Sequence, residues 1–257
     1  MKLITNILTK NDCYTAGKKI TVKGVMVHST AANNPNLKRY VQPNIEGIGK
    51  NLLGNHWNRK GLQKCVHAFI GKLADGSIAT VQTLPWDHRG WHGGKGKKGS
   101  VNDTHIGFEI CEASLSDKDY FNKVYKEAVE LTASLCKIYN LDPLKDGVVI
   151  CHSEGYKRGV ASNHSDVMHW FPKHGKNMDT FRADVAAEMN PKEEAFENYK
   201  VKINTDVLNV RKGAGTSHKI VTTVKRGEVF TIVGEENGWG KLKSGVGFIK
   251  LSYTKKL

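Results

Sequence analysis

Residues 105–152 read HIGFEICEASLSDKDYFNKVYKEAVELTASLCKIYNLDPLKDGVVICH, and the fold turns on this stretch. Its two ends, HIGFEI (105–110) and GVVICH (147–152), are short apolar runs, the second so uniformly apolar that it suits a strand covered on both faces. Between them Val124, Ala128, Leu131, Leu135 and Ile138 recur at intervals of four, three, four and three, which is the period of an amphipathic helix. Ser116 is the candidate N-cap, followed by Asp117 and Asp119 in the first turn, where carboxylates interact favourably with the helix dipole. A strand, a helix and a second strand in this order imply an α/β layer.

Upstream, GVMVHST (24–30) is another β-branched run, and VHAFI (66–70) and SIATVQTL (77–84) read as strands around the turn ADG. In IEGIGKNLLGNHWN (45–58), Ile45, Ile48, Leu52 and Leu53 have helical spacing, so a helix is expected there. The fold class is thus α/β, a central mixed sheet flanked by helices. Near residue 190 the pattern changes. MNPKEEAFENYK (189–200) is charged and contains Pro191, as a linker would. Beyond it TDVLNVRKG, EVFTIVGEE, GWGKLK and VGFIKL are short strands bounded by Gly or charged turns, the makings of a small all-β barrel. The expected organisation is a domain over 1–190, a linker over 191–198 and a second domain over 199–257.

Composition limits what the chain can be. Its 257 residues can bury a substantial core, and 39% hydrophobic with 25% charged residues excludes disordered and fibrous classes. No apolar run approaches the roughly 18 residues of a membrane helix, so membrane insertion is not expected. The first residues, MKLITNILTKND, do not follow a signal-peptide pattern, so synthesis in the cytoplasm is expected. The net charge is +14, which favours polyanionic partners. Half of it, +7, falls in residues 197–257, the more basic part per residue. The five cysteines are odd in number and lack a CxxC spacing, which fits free thiols.

Three histidines stand at strand ends: His28 in MVHST, His67 in CVHAF and His152 in VICHSEG. A strand end aims an imidazole from a rigid element toward the edge of a sheet, where sites form. Glu109 lies between Phe108 and Ile110, where a charge costs several kcal/mol unless it is paired or borders a cavity.

In that order, HST after an apolar strand, HAFIGKLADGSIATVQ, WHGG, HIGFEI and a strand ending in His resemble the zinc-type N-acetylmuramoyl-L-alanine amidases. Phage lysozyme-like amidases, cell-wall recycling amidases and peptidoglycan recognition proteins share that fold. The resemblance covers roughly residues 20–190. It implies a Zn2+ ion on His28, His152 and a third ligand soon after His152, in a segment that reads HSEGYKRGVASNHSDVMHW. Asp166 is the choice, with His164 and His169 as the alternatives, because two histidines and a carboxylate form a standard catalytic zinc set. Val167 replaces the Pro that usually follows this ligand. By the same resemblance Glu109 is the acid/base, since Val66 stands where other members place a Tyr, and His164 takes the place of a Lys that steadies the oxyanion. His67 and His92 fall at positions expected to be structural. Trp86, Trp91 and Trp170 are candidates to line a sugar or peptide groove.

The C-terminal segment, with LNVRKGAGT, GWGKL and GVGFIKLSY, closely resembles a bacterial SH3 domain, which in wall enzymes binds peptidoglycan. The resemblance as a whole implies a hydrolase of the amide between N-acetylmuramic acid and L-alanine in Gram-positive walls. Such an endolysin or autolysin would act at the wall after release, anchored there by peptidoglycan and anionic wall polymers. The alternative is a non-catalytic recognition protein, which lacks the third ligand. Nucleic acid is not an expected partner, because no basic helix or aromatic-interleaved basic strand is present.

Overall fold

The computed structural model describes residues 1–41, 47–191 and 196–257. The chain divides into two compact units, Met1–Pro191 and Lys192–Leu257.

The first unit runs β1 (Leu3–Thr5), α1 (Asp12–Thr15), β2 (Gly24–Ser29), β3 (Ala68–Lys72), β4 (Ile78–Gln82), β5 (His105–Ile110), α2 (Lys118–Ile138), β6 (Val149–Cys151), α3 (His152–Arg158) and α4 (Met178–Met189). Its six strands form one sheet in the order β1-β4-β3-β5-β2-β6. Only the β3–β4 hairpin, closed by the expected ADG turn, is antiparallel; the other four pairings are parallel, so the sheet is mixed. The β-branched residues of β2, β5 and β6 pack by alternation. Val25, Val27, Ile106, Phe108, Val149 and Cys151 point to one face, where they meet Val124, Ala128, Leu131 and Leu135 of α2 in a single core. Burial of each Val, Leu, Ile or Phe side chain among them contributes about 1.5–3 kcal/mol.

Several expectations change in detail. The N-cap of α2 is Asp117, whose side chain accepts from the Tyr120 N–H at 3.0 Å; Ser116 lies one residue too early to reach it. Ile138 ends the helix and is 60% exposed, so the apolar stripe stops short of its last residue. No helix forms over residues 47–58, where Ile48 is buried but Leu52 and Leu53 are each about 80% exposed; Ile45 lies outside the described residues. Gly47, Gly49 and Gly54 all take positive φ there, which breaks a helix at each point. All five cysteines are free. Among the described residues no helix is long and apolar enough to cross a membrane.

The second unit contains β7 (Tyr199–Ile203), β8 (Val207–Arg211), β9 (Ile220–Lys225), β10 (Val229–Glu236), β11 (Trp239–Leu242), β12 (Phe248–Lys250) and β13 (Thr254–Lys256). All pairings are antiparallel, in the order β13-β7-β10-β11-β12-β8-β9. Val201 and Ile203 of β7 share one core with Leu208 and Val210 of β8 and Val224 of β9, so strands from opposite ends of the order curl around a common interior.

Asp117→Ala removes the side-chain acceptor at the start of α2 and should destabilise the first unit by about 1 kcal/mol. In urea this appears as a lower midpoint at unchanged slope. An unaltered midpoint would show that the cap contributes nothing to the packed helix.

Candidate active site and metal centre

The register of the sheet builds the site. β2 pairs with β5 so that His28 faces Glu109, and with β6 so that Val27 faces Cys151, which brings His152 level with His28. Glu109, His28 and His152 therefore lie in one row across three adjacent strands, on the face opposite the α2 core. The segment after α3 returns Asp166 to this row. Its carboxylate oxygens lie 3.0 Å from His28 Nδ1 and 3.6 Å from His152 Nδ1, and the two Nδ1 atoms are 3.1 Å apart. All three residues are buried, and their ligand atoms fall within 4.8 Å of one another.

The opposite side of each imidazole shows which proton it carries. His92 Nε2 is 3.2 Å from the His105 carbonyl, which only accepts, so His92 donates there and its Nδ1 keeps a lone pair. That Nδ1 lies 3.0 Å from His28 Nε2, which must then carry the proton, leaving His28 Nδ1 unprotonated. Burial holds the pKa of His92 well below its ordinary value, with further lowering from the neighbouring His28 and His67, and burial lowers His28 as well, so both rings are neutral. On the other side, the Ser162 hydroxyl donates to the Gly93 carbonyl at 3.4 Å, and its oxygen lies 3.2 Å from His152 Nε2, positioned to accept that proton. His152 Nδ1 then also presents a lone pair. The Asp166 carboxylate presents acceptor oxygens to both of these nitrogens.

Three acceptors thus converge in a buried space with no donor between them. This donor set of two imidazole nitrogens and one carboxylate suits a divalent cation of the zinc type, each imidazole steadied from behind by a hydrogen bond.

Glu109 opens onto the same cleft, a cavity of about 490 Å3 that also reaches Tyr40, Trp57, Lys64, Trp91 and His164. Its Oε2 is buried and has no hydrogen-bond partner among the described residues. Burial pushes its pKa well above the usual carboxylate range, and the charges of Asp166 and Glu112 add to the rise against the opposing effect of Lys64. His164 is exposed at the rim, its ring 4.6 Å from that of His152 and outside the Nδ1, Nδ1, carboxylate group. His169, the other alternative third ligand, is engaged elsewhere: its Nε2 lies 2.9 Å from Glu112 Oε1.

His67 is fully buried. Its Nδ1 accepts from the Gly107 N–H at 3.0 Å and its Nε2 donates to the His88 carbonyl at 2.7 Å, while burial lowers its pKa to about 4. It ties strands to a loop and faces no cleft. Of the three candidate groove tryptophans only Trp91 lines the cavity. Trp170 is fully buried against Phe121 and Phe171, and Trp86 packs on the main core and stacks on His67. Tyr40 and Trp57 line the cleft instead, residues for which the sequence carries no distinguishing pattern. The supporting role of His92 had one signal, Gly107 in the middle of β5: a Cβ there would lie 2.3 Å from His92 Nδ1, so only glycine lets the ring approach.

The family model described as N-acetylmuramoyl-L-alanine amidase matches residues 18–172, and that described as bacterial SH3 domain matches residues 206–255. Among solved structures the chain is similar to the Staphylococcus aureus hydrolase AmiA in complex with its ligand. The identity is 19% and the TM-score 0.52, over 74% of this chain and 83% of that one. It is also similar to a mutant of PlyL, at 19% identity and a TM-score of 0.51, over 73% of this chain and 99% of that one. At these identities the likeness is one of fold. No curated protein matches the chain in sequence. With more than half of its length matched, the chain belongs to the N-acetylmuramoyl-L-alanine amidase family, and it carries a bacterial SH3 domain behind the amidase domain.

Ser162→Ala removes the acceptor behind His152 and should weaken divalent-metal retention about ten- to a hundredfold without unfolding the chain, as read by competition with a chelator. Equal retention by the two proteins would mean that Ser162 does not orient the ring.

Proposed function

We propose that this chain hydrolyses the amide between N-acetylmuramic acid and L-alanine of peptidoglycan with a zinc ion held by His28, His152 and Asp166. The observation that carries this reading is the buried convergence of three lone-pair donors beside an unpartnered carboxylate, in a chain of this family. Zinc in such a set acts as a Lewis acid that makes a bound water acidic and polarises a carbonyl.

The chain's own groups supply the rest. Glu109 takes the proton of the attacking water on its free Oε2 and returns it to the departing L-alanine nitrogen. Burial raises its pKa, and the charge of a bound Zn2+ would oppose that rise. His164, exposed at the rim beside His152, donates a hydrogen bond to the oxygen of the tetrahedral species. Trp57 and Trp91 offer ring surface to the sugar, with the buried Tyr40, stacked on Phe69, in the wall of the cleft. The SH3 domain holds the enzyme to the wall, so that a modest binder concentrates the catalyst on an insoluble substrate. Its surplus of basic residues suits anionic wall polymers. A recognition protein without turnover is the poorer reading, because both Asp166 and Glu109 are present and face one cleft.

Digestion of purified Gram-positive walls should release new L-alanine amino termini and no new reducing ends. New reducing ends would place the cut in the glycan and overturn the assignment. Strong chelation should abolish lysis and added zinc should restore it.

Glu109→Gln should lower kcat by about a hundredfold or more while leaving bound metal unchanged. In the parent enzyme the base form of Glu109 is lost as pH falls, so the acidic limb of kcat/KM that it produces should be absent from the variant's residual rate. A variant with the parent's rate and limb would move the proton transfer to another group.

A further inference from the structure

Beside the catalytic cleft lies a second cavity, of about 780 Å3, between the 93–100 loop GGKGKKGS and the C-terminal end of α3. Its lining holds Lys95, Lys97, Lys98, Lys157 and Arg158 and no carboxylate. Arg158 is neutralised by a two-pronged pair with Asp146, at 2.9 and 2.5 Å. The four lysines are exposed, and none forms an ion pair among the described residues.

Like charges gathered this way repel, so the fold must hold them there. Backbone bonds do so: the Lys98 N–H donates to the Gly159 carbonyl at 2.8 Å and the Gly96 N–H to Gly99 at 2.9 Å, while the Ser100 hydroxyl donates to the Gly94 carbonyl at 2.6 Å. A Cβ on Gly96 would lie 2.2 Å from the Gly159 carbonyl, which shows how closely the loop is seated on the α3 end. The basic cavity is therefore a preformed, positively charged hollow rather than a loose run of lysines.

Ser162 lines both cavities, and Gly94 of the catalytic cleft precedes Lys95 of the basic one. The two thus form one continuous path from His152 to the lysines. The other part of the catalytic cleft is lined by Tyr40 and Trp57. An amidase substrate has two halves of different chemistry on either side of the bond that is cut: a neutral sugar, which stacks on aromatic faces, and a peptide with free carboxylates, which does not.

We infer that the hollow formed by Lys95, Lys97, Lys98 and Lys157 is the subsite for the wall peptide, taking carboxylates beyond its L-alanine and so setting which peptides are cut. The inference rests on the amidase reading above. It also assigns a direction to the substrate: sugar on the Tyr40 and Trp57 side, peptide over Ser162 toward the lysines.

The test uses the full chain and two soluble muropeptides, one with free side-chain and terminal carboxylates and one with both amidated. The parent protein should cut the free acid with a kcat/KM about tenfold higher, mainly through KM, and the preference should shrink as salt is raised. The triple variant Lys95→Gln, Lys97→Gln, Lys98→Gln should lose this preference. Its rate on the amidated substrate and its bound metal should be unchanged, which also shows that it is folded. Cleavage of neither muropeptide by the parent would overturn the amidase reading itself. Equal cleavage of both by the parent, or a preference that survives in the variant, would overturn the subsite. A variant that keeps the preference but sediments less well with walls bearing phosphodiester polymers would give the hollow to those polymers and likewise overturn the peptide assignment.

Discussion

Two imidazole nitrogens and a carboxylate directed at one point, with no proton among them, set the demands on the rest of the first unit. His28 Nδ1, His152 Nδ1 and the Asp166 oxygens repel one another unless a cation lies between them, and burial in a low dielectric magnifies that repulsion. The arrangement persists because each imidazole is held from behind, His28 through His92 to the His105 carbonyl and His152 by Ser162. The sheet supplies the stiffness. Parallel pairing of β2 with both β5 and β6 puts Glu109, His28 and His152 in one row, while the opposite face of those strands is locked onto α2. The fold places its electrostatic conflict where chemistry is to be done and its close packing on the other side of the same three strands.

Much of this was legible in the sequence, for physical reasons. An amphipathic helix of six turns and strands of β-branched residues declare themselves by period, so α2, β2, β5 and β6 could be read directly. Glu109 stood out because a carboxylate inside an apolar strand has to border a cavity or a charge. His28 and His152 were visible as histidines at strand ends, and their order matched a family pattern. Other features depend on contacts between distant segments and leave no local trace. His92 reaches His28 from 64 residues away, and Ser162 lies in a loop like any other serine. The choice of Asp166 over His169 rests on His169 having Glu112 as its partner, a contact across 57 residues. The expected helix over residues 45–58 illustrates the reverse failure: the leucine spacing was helical, but three glycines at positive φ prevent the turn from closing.

The two units divide the work in a way that the charge distribution reflects. Residues 1–196 and 197–257 each carry half of the net charge, but in the first unit part of it is gathered in a hollow beside the catalytic cleft. Charge spread over a small domain favours adhesion to a polyanionic wall, and charge held in a hollow next to the reacting bond favours selection among substrates. On the two proposals above, one chain uses the same kind of residue for retention at a surface and for discrimination at a site.

The account depends most on the trio holding a metal ion. Elemental analysis of the dialysed full-length protein should find about one zinc per chain, and close to none in His28→Ala and Asp166→Ala, while His164→Ala retains the parent amount. A parent protein that holds no zinc when folded and supplied with it, or an Asp166→Ala protein that keeps its zinc while His164→Ala loses it, would contradict the assignment of these three residues as the metal centre.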